Sequence, residues 1–146
     1  MGGLTMRFGI IGIDADRQDD ERALRTQAVG AAVFVQRWRH AAQALHKERF
    51  VLRGYADARI PAEAVTEIAS RFGLAVEVMD ADCNTTLYIQ AEVTGAENGE
   101  LPVFILPCSA TRNVLSALGF PDSSFPVWAG VFDTSTLKHA TPANVD

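Results

Sequence analysis

The sequence predicts an α+β fold: a mostly antiparallel sheet of about five strands with two short helices in ferredoxin-like order, preceded by a short strand and one long N-terminal helix. Three observations predict it. Residues 85–94, TTLYIQAEVT, alternate strictly, with Leu87, Ile89, Ala91 and Val93 on one face and polar residues on the other. A period of two with one polar face is the mark of a half-buried antiparallel strand. The run LPVFILP at 101–107 is apolar between two prolines, which suits a central strand covered on both sides and ended where proline cannot donate. From residue 50 onward the order of expected elements is strand, helix, strand, strand, strand, helix, strand.

Taken in order, residues 6–13, MRFGIIGI, read as a short buried strand, and DADRQDDE after it carries five acids in eight positions. A helical pattern follows from about residue 20 to 46. Leu24, Ala28, Ala31, Val35, Trp38, Ala42 and Leu45 recur at spacings of four and three, a heptad-type seam. Such a helix is roughly 40 Å long at 1.5 Å per residue, more than a chain of this size readily covers. FVLRGYA at 50–56 reads as a strand. Pro61 then opens a helix whose apolar face is Ala62, Val65, Ile68, Ala69 and Phe72 and which stops at Gly73.

Leu74, Val76 and Val78 alternate as a further strand, and DADCN at 80–84 reads as a tight turn into the alternating segment. Ser109 is the expected N-cap of a short helix ending near Gly119, and VWAGVF is the expected last strand. The whole chain, 1–146, reads as a single domain: long helix about 20–46, sandwich about 50–133, irregular tail 134–146.

The totals exclude several function classes. A formal charge of −5 argues against a dedicated nucleic-acid binder. No apolar run approaches the roughly 20 residues of a membrane helix, and FGIIGI is too short for a secretory core. Two cysteines without metal spacing point to the cytoplasm rather than to a disulfide scaffold. Eleven Arg against two Lys fits a GC-rich bacterial or phage source.

Three constellations invite chemistry. Asp14 and Asp16 end the first strand, where a hard cation such as Mg²⁺ can be held. FGIIGID resembles the first strand of ribonuclease H-like nucleases and actin-like ATPases. Those families continue into a glycine-bearing hairpin, whereas here the pattern turns helical and no later acidic partner follows. The plainer reading, that Asp19, Asp20 and Glu21 cap the long helix, is preferred. Cys108 lies at a helix start, where backbone N–H groups lower a thiol's pKa, with Arg112 one turn on. Its spacing to Arg112 is too short for a phosphatase loop, so a core role is preferred. Arg37, Arg39, His40, His46, Lys47, Arg49, Arg53 and Arg59 form a basic stretch with Trp38 and Tyr55 interleaved. Cations gathering at a helix C-terminus account for it, and an acidic protein suits it better than nucleic acid. No histidine pair has ligand spacing, so neither a metal nor a cofactor is expected.

The leading functional reading is therefore a non-enzymatic interaction protein (inhibitor, immunity protein, assembly factor or accessory subunit). It would form a homodimer or dock onto a larger, acidic partner through Val29, Val33, Phe34, Arg37, Trp38 and Arg39. The alternative is a small-molecule-binding or enzymatic domain with its site near Asp14, Asp16 and Cys108.

Overall fold

The computed structural model describes residues 7–13, 33, 36, 37, 40, 51–80, 82, 84–95, 100–120, 129–133 and 138–140. Within them the elements are β1 (Arg7–Ile13), β2 (Val51–Ala56), α1 (Ala62–Phe72), β3 (Val76–Val78), α2 (Thr85–Gly95), β4 (Glu100–Pro107), α3 (Cys108–Ala117), β5 (Ala129–Asp133) and β6 (Lys138–Ala140). The strands form one sheet in the order β3-β2-β4-β1-β5-β6. The first four in that order are parallel, and β5 and β6 continue the sheet antiparallel beyond β1.

This corrects the expected fold class. The sheet is of the parallel α/β kind, not the antiparallel ferredoxin-like kind, and its first strand is no appendage. β1 sits in the middle of the sheet, paired with β4 from Gly9↔Val103 to Ile13↔Pro107. Beyond their first residues, Arg7 and Glu100, both strands are apolar and buried at every position. Strands sealed on both faces are what a parallel sheet with flanking helices requires.

The second correction is local and explains the first. Residues 85–95 form a helix, α2, where an antiparallel strand was expected. Asn84 lies just before it; its Oδ1 accepts from Leu87 N–H at 3.1 Å and its carbonyl accepts from Tyr88 N–H at 2.9 Å. An Asn bonding to the third residue beyond it is an N-cap, although the same residue also suits a turn. Ile89 and Val93, four apart, are buried, whereas Leu87 is 61% exposed. That is a helical stripe, and the alternation of Leu87 with Ile89 is incidental. With a helix between β3 and β4 the chain can cross over, which parallel pairing needs and a hairpin cannot supply.

The helix α1 matches its sequence signals. Pro61 precedes its first residue, and Gly73 closes it with φ 60°, its N–H bonded to the Ala69 carbonyl. A left-handed closing residue is one that glycine adopts without a Cβ penalty. Within the tail expected to be irregular, Lys138–Ala140 forms β6. No long N-terminal helix stands among the described elements. Of residues 20–46 only Val33, Gln36, Arg37 and His40 are described, all helical; the rest of the expected helix lies outside the described residues.

One face of the sheet carries an aromatic core. Phe8 meets Phe104, Phe120 and Phe132 at centroid distances of 6.2, 6.0 and 5.7 Å. Ile89 and Val93 of α2 and Val114 and Leu115 of α3 close over these rings. Alternation turns Ile11, Ile13, Leu101, Val103 and Ile105 to the other face, where all five are at most 1% exposed. The step from β2 to β3 runs outward and the step from β3 to β4 runs back across β2. Right-handed crossovers therefore place α1 on the face opposite α2. Among the described residues no helix is long and apolar enough to cross a membrane.

Candidate functional site

In a parallel sheet the chain leaves every strand at the same edge, so the loops at the carboxyl ends gather side chains from distant parts of the sequence. Here β2, β3 and β4 end at Ala56, Val78 and Pro107, and β1 ends at Ile13 beside Pro107. From the neighbouring strands β2 and β4 the chain runs to β3 on one side and to β5 on the other. Two neighbouring strands whose connections diverge in this way leave a crevice between them, the topological switch point of an open α/β sheet.

The best-defined side-chain cluster lies at this crevice. Asp57 follows β2, and its N–H donates to the Ile105 carbonyl at 2.9 Å, holding the residue against β4. Its side chain is only 6% exposed. Oδ1 accepts from the Arg59 backbone N–H at 2.8 Å and from Arg59 Nε at 3.0 Å. Oδ2 accepts from Arg59 Nη2 at 3.0 Å and from the Thr85 hydroxyl at 3.4 Å. An ionised carboxylate has about four acceptor positions, so these donors occupy it. Burial pushes the Asp57 carboxyl up, but the hydrogen bonds and charge of Arg59 and the Thr85 hydroxyl outweigh it, and the net shift is below the usual carboxylate range.

Asp57, Ala58, Arg59, Met79, Asp80 and Thr85 line a cleft of about 140 Å³ between the ends of β2 and β3 and the start of α2. Asp80 is exposed and its Oδ1 accepts from Asp82 N–H at 3.0 Å, which shapes the loop entering α2. Pockets for drug-sized ligands run from roughly 300 Å³ upward. This cleft can seat a small polar group or one end of a larger ligand. Because Asp57 is ionised and fully engaged, it is an anchor for Arg59 and Thr85 and not a general base.

Of the sequence candidates, Cys108 is the first residue of α3 and is half-buried. Val33 is half-buried and Arg37 exposed. Asp14, Asp16, Val29, Phe34, Trp38 and Arg39 lie outside the described residues. In the basic stretch, Arg53 Nε pairs with Glu100 at 2.7 Å and Arg59 with Asp57, so two of its cations are engaged within the chain, one on the sheet and one in the loop after β2. Among the described residues no group of three or more His, Cys, Asp and Glu could hold a metal ion.

Sequence reasoning missed Asp57, Asp80 and Thr85 as members of one cleft and placed Arg59 only in the basic stretch. One signal was present. Asp57-Ala58-Arg59 stands between a strand and a Pro-initiated helix, where an aspartate commonly bonds to the backbone two residues on. No known protein family and no curated protein matches this chain.

Proposed function

We propose that the chain is a small-molecule-binding or enzymatic α/β domain, working in the cytoplasm, with its site at the carboxyl edge of the parallel strands. The observation that carries this reading is the divergence of the chain at β2 and β4. Ala56 and Ile105 are register partners in parallel strands whose connections depart to opposite sides, β2 to β3 and β4 to β5. Ligands of open α/β sheets bind at such a crevice. Cys108 begins α3 at the end of β4, and Asp14 follows Ile13 of β1, the next strand over, in the sequence. The Asp57–Thr85 cleft extends the same edge and would hold a polar extremity of the ligand. Fold alone licenses no particular chemistry, so the reading stops at the location and kind of site.

A second reading keeps the interaction protein: a homodimer, or a complex with a larger and acidic partner, through the segment containing Val33 and Arg37. Val51, Val78 and Leu87, exposed by 67, 59 and 61%, favour it as apolar side chains left open to a partner. Single exposed hydrophobics are common on monomers, which ranks this reading second.

Thermal unfolding of the purified chain with separate panels of nucleotides, sugar phosphates, amino acids and carboxylates tests the proposal. A ligand at a hundred times its Kd stabilises by about 2.7 kcal/mol, an easily seen rise in Tm. The expected result is a rise with one chemical class that disappears in Ala58→Trp or Ser109→Trp, both at exposed positions of this edge. No rise with any class overturns the proposal. Self-association or a co-purifying partner, lost in a folded Trp38→Ala variant, would establish the second reading in its place.

A further inference from the structure

We draw no further inference here: the strongest candidate, the cleft lined by Asp57, Arg59, Asp80 and Thr85 at the carboxyl ends of β2 and β3, belongs to the site already described, and its buried carboxylate is already occupied by donors from Arg59 and Thr85.

Discussion

Arg59 closes on Asp57 from within the same loop, its backbone N–H at 2.8 Å and its Nε and Nη2 each at 3.0 Å from the carboxylate. A charge this deeply buried is tolerated because the donors that replace water are held in place by the chain itself. Asp57→Asn keeps the shape and removes the charge. The expected cost in urea denaturation at neutral pH is about 2 kcal/mol, the scale of hydrogen bonds to a charged group. The same variant carries a pH signature. The folded-state pKa of Asp57 is depressed, so its contribution is present above its unfolded pKa of about 3.9 and is lost as pH falls through the folded value. Acid unfolding of the wild type should therefore be steeper below about pH 4 than that of Asp57→Asn. Superimposable acid limbs for the two proteins would rule out an ionised, gripped Asp57.

Tyr55 gives the opposite signature at high pH. Its ring stacks on Phe104 at 5.5 Å and meets Tyr88 edge-on at 5.9 Å. Burial, then a hydrogen bond from its hydroxyl to the Glu92 carboxylate and the charge of that group, push its pKa up to about 12. A raised pKa favours the protonated form in the folded state. Stability from this group is complete below its unfolded pKa of about 10 and is lost as pH rises toward the folded value. Wild type should thus lose stability between about pH 10 and 12, and Tyr55→Phe should lose less over the same range. The check is chemical denaturation at a series of alkaline pH values, with tyrosinate absorbance recorded in parallel.

Gly54 is a test of how closely β2 and β3 approach. A Cβ there would lie 2.9 Å from Val76 Cγ2, 3.1 Å from the Ala75 carbonyl oxygen and 3.2 Å from Leu74 Cδ2. The carbonyl cannot swing away, because it accepts from Gly54 N–H at 2.9 Å. Gly54→Ala should destabilise by about 1–3 kcal/mol through overpacking. Gly95→Ala, where a Cβ meets nothing within 4 Å, should cost nothing measurable. Equal stability of the two variants would mean that β3 does not pack as described.

The conformation of residues 85–95 is open to a direct mutational test. As a strand, Leu87 and Ile89 would share the buried face; as the helix α2, Ile89 is fully buried and Leu87 is 61% exposed. Ile89→Ala should cost about 2–5 kcal/mol, as buried Ile truncations do. Leu87→Ala should stay within about 0.5 kcal/mol of wild type, the range for surface changes. Similar large losses at both positions would restore the strand.

The sequence by itself determined which segments are buried and where several elements stop. FGIIGI reads as a buried strand and LPVFILP as one suited to cover on both faces, and Pro61 and Gly73 mark the limits of α1 with local chemistry alone. It placed a helix after LPVFILP but expected Ser109 as its N-cap, whereas α3 begins at Cys108 with Pro107 in the cap position and no side-chain cap bond. Tertiary structure decided the rest. An apolar run states that it is covered but not which strand lies beside it, so the pairing of β1 with β4, across more than ninety positions of sequence from Gly9 to Val103, left no local trace. Residues 85–95 satisfied a period of two and a helical stripe at once, and packing of Ile89 and Val93 under the aromatic core chose the helix. Once that helix provides a crossover, β3 and β4 run parallel, their carboxyl ends share an edge, and Asp57 meets Thr85 from 28 residues away. The cleft is a product of that crossover, because its two sides come from loops that only parallel pairing brings to the same end of the sheet.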